Sequence, residues 1–430
     1  MNRKPAPVPS LALAAALTLA LAAPVRADAP APAPASEAIT GFEGDWSWLN
    51  GSNYQPSSLL TMGPLTWSLM VDSYYGYSFN RPADHTVFPT TTAPRHNEFN
   101  LNLGLLGLEV TEYKHIFGKL VLQTGNYVDA ITGTDATVTR GAYSSMASLR
   151  HVQQAYAGHR FDVLNGLNLV AGIFPAYIGM DGYIPQENWA YTHNLLGDFT
   201  PYYLSGLMAQ LYPRKDLKTE LWLVNGWQSL SKYGEGFGYG YSVNWRPHDR
   251  LSLTTNFLGG NFEADQTRTR LYSDHVVQWK YAVGGAGQRF KHLAIGAAAD
   301  VGYNTASTLP GGAQATPLGG VALMHRAELN DQWAATLRGS TFYDPQGLVA
   351  LALPGGGSPP AGLQPSELTA CLDYKPSPWV LYRLEYRHDM ANVPYIAGPG
   401  GTTAPAGATG FTPDFRTSGD RLTANATVRF

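Results

Sequence analysis

Charged side chains in two parts of the chain could act together on ions or on small polar solutes. Arginine and glutamate alternate with apolar residues near the C-terminus, and several acids fall in one segment, residues 178–201. Acids that face arginines across water would create a transverse field, and such charged rings set the selectivity of pores. The candidate residues are Arg326, Arg338, Arg383, Glu385 and Arg387 on the first side, and Asp181, Glu187 and Asp198 on the second.

The same residues have a plainer interpretation. They could form an internal ladder of salt bridges, because Glu385 lies two residues from both Arg383 and Arg387 and partly neutralises them. The acids of segment 178–201 could also coordinate Ca²⁺ through their oxygens, or they could simply be solvated loop residues. Solvation is the simpler of the two, and we predict no metal site.

Catalytic chemistry finds little support in the sequence. The chain contains no Gly-x-Ser-x-Gly elbow, no His-Glu-x-x-His pair and no phosphate-binding Gly-x-x-x-x-Gly-Lys loop. His275 follows Asp274 and His388 precedes Asp389, but neighbours along a strand point to opposite faces. We therefore predict no enzymatic activity and no cofactor. The single cysteine, Cys371, excludes an intramolecular disulfide.

The last ten residues indicate which elements hold these side chains. Leu422, Ala424, Ala426, Val428 and Phe430 alternate with polar residues, a period of two that predicts a strand with one apolar face. The strand ends on an aromatic residue, as outer-membrane barrels do where the closing strand meets lipid on one face and a wet lumen on the other. Phe430 is therefore a candidate assembly signal.

The N-terminus indicates export. A short basic region, a Leu/Ala run and small-residue cleavage sites predict a signal peptide over residues 1–27. Residues 28–64 form a Pro/Ala-rich leader and an N-terminal extension that could line a barrel or lie in the periplasm. Removing the three basic residues of 1–27 changes the net charge from −3 to −3 − 3 = −6, which argues against a nucleic-acid partner.

The period-two segments of residues 65–430 predict an all-β fold, which is a transmembrane antiparallel up-and-down β-barrel of about sixteen strands. Aromatics make up 12% and charged residues 14% of the chain, which suits a barrel with aromatic girdles. Long and tight connections alternate, so we expect short periplasmic turns and long extracellular loops. The predicted strands are 65–79, 97–112, 114–128, 149–160, 166–177, 202–212, 217–225, 236–246, 249–259, 271–282, 290–303, 319–329, 332–343, 366–375, 378–389 and 420–430.

Aromatic residues at the strand ends support this arrangement. The girdle candidates are Tyr212, Trp245, Trp333 and Tyr374 at the short-turn end, and Tyr77, Tyr127, Tyr177 and Tyr343 at the long-loop end.

A series of short motifs follows in order along the chain. They include Ile178-Gly179-Met180-Asp181, Glu187-Asn188-Trp189, Val224-Asn225-Gly226-Trp227, Phe342-Tyr343-Asp344-Pro345-Gln346-Gly347 and Tyr382-Arg383-Leu384-Glu385-Tyr386-Arg387-His388-Asp389. Their order and spacing, from about Phe99 to Phe430, resemble the OmpL-like outer-membrane β-barrel porin family of the porin-2 type. One basic position of the family pattern reads Gly172-Ile173-Phe174 here, so the resemblance implies no ion preference.

The resemblance implies a porin of the bacterial outer membrane that allows passive diffusion of small hydrophilic solutes or ions. The alternative is a non-conducting surface or structural barrel that binds a partner through its long external loops. A barrel hydrolase is a weaker third interpretation. The partners expected are outer-membrane lipid, the barrel-assembly machinery and the solutes themselves, and a homotrimer is a family-level expectation.

Overall fold

The computed structural model describes residues 42, 44–51, 60–133, 135, 146–232, 234–262 and 265–430. The predicted signal peptide, 1–27, and most of the leader, 28–64, lie outside the described residues. Sixteen long strands form the barrel in the described part of the chain. They are β1 Leu65–Ser78, β2 Glu98–Tyr113, β3 Ile116–Thr124, β4 Val152–Phe161, β5 Leu167–Pro175, β6 Tyr203–Arg214, β7 Leu217–Val224, β8 Gly238–His248, β9 Leu251–Gly260, β10 Arg270–Val283, β11 His292–Asn304, β12 Thr316–Glu328, β13 Trp333–Tyr343, β14 Pro365–Ser377, β15 Val380–Ala391 and β16 Ser418–Arg429.

The sheet closes on itself. Each strand pairs antiparallel with the next, and β16 pairs antiparallel with β1, with Leu422 opposite Tyr77 and Val428 opposite Val71. Closure leaves no edge strand, so every strand of the wall can satisfy its backbone groups through its neighbours. Two-residue turns such as 114–115 and 215–216 alternate with long connections such as 176–202 and 344–364. The predicted barrel and the predicted number of strands are confirmed.

The two faces of each strand follow from the alternation of the sequence. On β15, Tyr382, Leu384 and Tyr386 face outwards and are 44–48% exposed, whereas Arg383 and Arg387 face inwards and are buried. A charge on the lipid side costs a few kcal/mol near the middle of the bilayer, so the apolar set must point out. The inward face is therefore polar, but the burial of its charges shows that something covers it.

The predicted third strand, 114–128, is too long. It ends at Thr124, because Gly125 has φ 122°, a left-handed conformation that breaks the ladder. The chain then turns into helix α1, Asn126–Thr132. Two further short helices lie in the long connections: α2, Met146–Leu149, and α3, Leu195–Phe199. No helix in the described residues is long and apolar enough to cross a membrane.

Three of the predicted girdle aromatics lie inside the barrel instead, so their assignment is wrong. Tyr127 is fully buried in α1 and contacts Tyr183 edge-on at 5.6 Å, and Tyr212 is buried on the inward face of β6. Tyr177 stacks on inward-facing Trp222. Counting residues along a strand does not tell an aromatic at the rim from one that turns into the lumen.

The N-terminal segment, residues 44–51, lies within the barrel. A 3-10 turn, Ser47–Leu49, buries Trp48 against Ala294 and Met324 of the inward faces of β11 and β12. The sequence left two places for this extension, and residues 44–51 of it lie in the lumen.

Candidate functional site

The connection between β5 and β6 turns into the lumen. Within it, residues 178–201, which we call the inward loop, are buried without interruption from Asn188 to its end. Helix α3 belongs to this loop, and Asn194 caps it by accepting a hydrogen bond from the backbone N–H of Gly197 at 2.9 Å. An external loop would leave these residues in solvent, so the barrel interior is the environment that the loop is built for.

The root of the inward loop is fixed to the neighbouring wall. The Tyr177 hydroxyl donates to the carbonyl oxygen of Phe257 on β9 at 2.6 Å, and its ring stacks on Trp222 at 4.8 Å. The backbone N–H of Gly179 donates to Asp274 Oδ2 on β10 at 3.0 Å. These contacts direct the chain away from the strand end and across the lumen.

The far part of the loop is anchored by apolar contacts. Leu195, Leu196 and Phe199 of α3 are at most 1% exposed and belong to an apolar cluster that includes Phe342 of β13. The rings of Phe199 and Phe342 meet edge-on at 5.2 Å. Burying side chains of this size contributes about 1.5–3 kcal/mol each, which makes the helix a firm attachment point.

Four arginines, which we call the arginine wall, hold the backbone of the loop. Arg326, Arg338, Arg383 and Arg387 lie on β12, β13 and β15 and are at most 3% exposed. Their guanidinium groups donate to backbone carbonyl oxygens of the loop. The contacts are Arg383 to Pro185 at 3.1 Å and to Asn188 at 2.7 Å, Arg326 to Trp189 at 3.0 Å, Arg387 to His193 at 2.6 Å, and Arg338 to Thr192.

Buried acids on the adjacent strands balance the wall. Asp373 bonds Arg326 at 2.9 Å and Arg383 at 3.0 Å, and Glu367 bonds Arg338 at 2.8 Å. Sequence reasoning did not name these two acids as partners. They occupy inward positions of β14, so the alternation that placed the arginines inside could have placed them there too.

Glu385 accepts hydrogen bonds from donor groups of the inward loop. Its carboxylate accepts hydrogen bonds from the backbone N–H of Tyr191 at 2.7 Å and from the hydroxyl of Thr192 at 2.6 Å. A carboxylate that accepts backbone N–H groups inside a protein satisfies donors that would otherwise be costly to bury. The arginines and Glu385 together therefore pair both kinds of backbone group on the loop.

The three acids of the inward loop have separate surroundings. Asp181 accepts hydrogen bonds from the backbone and the side chain of Asn194 at 2.8 and 2.6 Å. Asp198 accepts from the hydroxyls of Thr91 and Tyr202, both at 2.7 Å. Only Glu187 stays partly exposed, and it pairs with Arg429 of β16 at 2.6 Å.

The N-terminal segment packs under the loop. Trp189 of the loop donates its indole N–H to the carbonyl oxygen of Trp48 at 3.3 Å. The carbonyl oxygen of Gly51 accepts from Arg326 at 3.3 Å, so one arginine holds both pieces. Arg246 of β8 lies 4.0 Å above the ring of Phe42. Loop and segment therefore form one packed body, which contacts β8 as well as the arginine wall.

Part of the inner surface stays polar and partly accessible. Lys119, Gln154, Asn244, Thr254 and Gln278 are inward residues of β3, β4 and β8–β10 with intermediate exposure. Lys119 pairs with Glu109 of β2 at 3.1 Å. These five residues, which we call the polar strip, fall in two groups that are separated by β5–β7. The described residues contain no group of three or more His, Cys, Asp or Glu side chains that could hold a metal ion.

At the long-loop end, a carboxylate ties two external connections together. Asp84 Oδ2 accepts hydrogen bonds from the backbone N–H groups and the hydroxyls of Thr402 and Thr403, at 2.7–2.9 Å. Partial burial opposes the charge, but these hydrogen bonds outweigh it and lower the pKa of Asp84 to about 2.

Phe430 follows β16 directly. Its backbone N–H donates to the carbonyl oxygen of Leu69 at 2.8 Å, and its carbonyl oxygen accepts from the N–H of Leu69 at 3.2 Å. The side chain is 39% exposed. The last residue therefore continues the pairing that closes the barrel.

Comparison with known proteins agrees with this architecture. A profile of the family described as "Putative beta-barrel porin-2, OmpL-like" matches residues 64–430, which is most of the chain. No curated protein matches the chain.

Solved barrels share the fold at very low sequence identity. OprB of Pseudomonas putida has a TM-score of 0.52 and 9% identity, with 85% of this chain and 94% of that chain covered. OmpT of Vibrio cholerae has a TM-score of 0.50 and 8% identity, with 87% of this chain and 100% of that chain covered. An anion-selective porin from Comamonas acidovorans has a TM-score of 0.50 and 8% identity, with 85% of this chain and 99% of that chain covered. The likeness concerns the barrel alone.

Proposed function

Because the chain belongs to the OmpL-like β-barrel porin-2 family, we propose that it is a porin for passive diffusion of small hydrophilic solutes or ions. It is a protein of the bacterial outer membrane, and no chemical step is needed for this function. The barrel supplies a water-filled path, and the inward loop and the N-terminal segment narrow it.

One observation carries the proposal. The inward loop and the N-terminal segment pack against the arginine wall, while the residues of the polar strip on β3, β4 and β8–β10 keep intermediate exposure. Lysine, glutamine, asparagine and threonine can exchange hydrogen bonds with a passing solute, which an apolar surface cannot do. The solute path therefore runs along the polar strip and beside the packed body.

We propose divided roles for the eight charged residues. The arginine wall and Glu385 bind the backbone of the inward loop and so fix its position in the constriction. Two acids of the loop, Asp181 and Asp198, stabilise it through their own hydrogen bonds. Glu187 is the one of the eight that is partly exposed, beside Arg429, so its charge reaches water. Replacing Glu187 with Gln should shift the reversal potential in a salt gradient, most strongly at low ionic strength.

Single-channel recording in planar bilayers tests the porin function. The wild-type barrel should give discrete conductance steps, and Gln154→Trp on the polar strip should lower the step size. Leu384→Trp, on the lipid face, is the matched control and should leave the step unchanged. Steps that respond equally to both variants would place the path elsewhere.

A non-conducting barrel is the second candidate, and the packing of the lumen favours it. The inward residues of β12–β15 are almost all buried, and the N-terminal segment occupies space that a wide pore would leave open. In that case the long external loops would bind a partner. Correctly folded wild-type protein that gives no conductance step would support this candidate and overturn the porin.

Further assignments are part of the proposal. Residues 1–27 act as a signal peptide and 28–64 as a leader, of which residues 44–51 enter the barrel. The lipid-facing strands contact outer-membrane lipid, and the barrel-assembly machinery reads the C-terminal strand. Three copies assemble into a trimer. The chain has no catalytic role.

The assembly role of Phe430 has a direct test. Phe430→Asp should stop membrane insertion and leave export intact, because a charge at the lipid boundary of the closing strand is poorly solvated. Phe430→Tyr is the control. Heat-modifiable folded barrel from the aspartate variant would contradict the role.

A further inference from the structure

A row of buried oxygen atoms crosses β9, β10 and β11 at one level of the lumen. Asn256 lies directly opposite Asp274, and Asp274 lies directly opposite Asp300. The three side chains occupy inward positions and are at most 3% exposed. Neighbouring strands in a sheet are about 4.8 Å apart, so the three polar groups are close neighbours.

Each of the three side chains keeps one oxygen without a partner. Asp274 Oδ2 accepts from Asn256 Nδ2 at 2.6 Å, and Asp300 Oδ2 accepts from the Tyr272 hydroxyl at 2.6 Å. The Oδ1 atoms of Asn256, Asp274 and Asp300 accept no hydrogen bond. The amide contact fixes the Asn256 side chain beside Asp274, so its free carbonyl oxygen belongs to the same group.

The charge of this group is not balanced by the protein. Within the described part of the chain, neither Asp274 nor Asp300 forms an ion pair, whereas Asp373 and Glu367 of the arginine wall each bond an arginine. Two neighbouring carboxylates that are both ionised and buried repel each other and lose their hydration, which costs several kcal/mol. A bound cation would supply the missing positive charge, whereas a proton shared by the two carboxyl groups would remove one negative charge.

We propose that Asn256, Asp274 and Asp300 bind one divalent cation of the Ca²⁺ class through their free Oδ1 atoms. Carboxylate and amide oxygens are the ligands that Ca²⁺ prefers, and its two charges cancel those of the two carboxylates. Water can complete the coordination. Because Asp274 also accepts the N–H of Gly179, the cation ties three strands to the root of the inward loop.

Refolding the full chain in detergent with either CaCl₂ or EGTA tests the site. Wild type should retain about one Ca²⁺ per chain, which is the number of divalent ions that neutralises two carboxylates. It should also lose its heat-modifiable band at a higher temperature than the EGTA sample. With Tb³⁺ as the probe, excitation of tyrosine should give emission through Tyr272, whose hydroxyl contacts Asp300.

Two variants decide the result. Asp300→Asn and Asp274→Asn/Asp300→Asn keep the shape of the site and remove one or both charges, so both should lose the Ca²⁺ response and the Tb³⁺ emission. Without metal, Asp300→Asn should be at least as stable as wild type, because it removes the repulsion. Asp331→Asn, in an exposed turn, is the control.

Two outcomes would overturn the proposal. In the first, wild type holds no Ca²⁺ and its unfolding temperature responds to pH alone, as for two carboxyl groups that share a proton. In the second, Asp300→Asn binds Ca²⁺ as well as wild type does, which would place the ion elsewhere.

Discussion

Two long connections on the same side of the barrel differ in their burial. The inward loop, 178–201, enters the lumen and is almost wholly buried, whereas residues 355–358 of the connection 344–364 are exposed to solvent. The second connection pairs part of its backbone within itself. Asp344 accepts from the N–H groups of Leu348, Val349 and Ala350 at 2.8–2.9 Å, and Leu353 bridges Gly357.

The difference shows what a buried loop requires. Backbone N–H and C=O groups away from water must find partners, and a loop without regular structure cannot supply them itself. The barrel wall supplies them here: the arginine wall pairs the carbonyl oxygens of the inward loop, and Glu385 pairs its N–H groups. In the second connection, Arg270 donates to the carbonyl oxygen of Leu348 at 3.2 Å, but residues 355–358 are exposed and water can pair their backbone groups.

The largest effect is expected from breaking the arginine wall. Arg383→Met removes one of the two arginines that bond buried Asp373, and it leaves the buried carbonyl oxygen of Asn188 without its guanidinium donor. Removing one partner of a buried ion pair costs about 3–5 kcal/mol. The temperature at which the heat-modifiable band is lost should therefore fall clearly below that of wild type.

The matched control is Arg416→Met, an exposed arginine that pairs with Asp414 at 3.0 Å. A surface pair of this kind contributes about 0–1 kcal/mol, so little should change. If Arg383→Met were as stable as Arg416→Met, the wall would not hold the loop.

A smaller loss is expected from a neutral change on the loop itself. Thr192→Val removes the hydroxyl that donates to Glu385 at 2.6 Å and leaves a buried acceptor without that donor. The cost is about 1–3 kcal/mol. Ser358→Ala, in the exposed connection, should have no measurable effect on the same assay. If both variants lost the heat-modifiable band at the same temperature, the hydrogen bonds of the buried loop would contribute no more to stability than those of the exposed connection.

The external rim should respond to acid. The pKa of Asp84 is about 2 in the folded protein, below its ordinary value of 3.8. Its contribution is therefore complete above about pH 4 and is lost as the pH falls from 3.8 towards 2. The protection factors of the amides of Thr402 and Thr403, which correct for the intrinsic exchange rate at each pH, should fall over that range in wild type. Asp84→Asn should show the low protection already at pH 6, and low protection confined to the variant at both pH values would contradict the assignment.

The smallest effect is expected from an insertion in the exposed connection. An epitope placed between Pro354 and Pro360 should be reachable on intact cells and should leave the unfolding temperature unchanged, because Gly355–Ser358 touch only solvent and their own turn. Labelling that needs a broken envelope would reverse the orientation of the barrel.

The sequence by itself determined the wall of this barrel. The side-chain alternation of a strand is a local property with a period of two, so Arg383, Glu385 and Arg387 could be placed on the inward face from their spacing alone. The same property indicated sixteen strands, and the parity of the connections indicated which ends carry the long loops. The alternation did not show that the third strand ends at Thr124, and the predicted strand ran on through Gly125.

Only the tertiary structure decided what the inward residues face. Arg326 and Arg383 share Asp373, and both contact the inward loop, which is more than a hundred residues away along the chain. Such contacts depend on the closure of the barrel and on the path of the loop across it. Tyr127 and Trp48 lie inside for the same reason: burial in a lumen is set by what fills the space, and no local pattern records it.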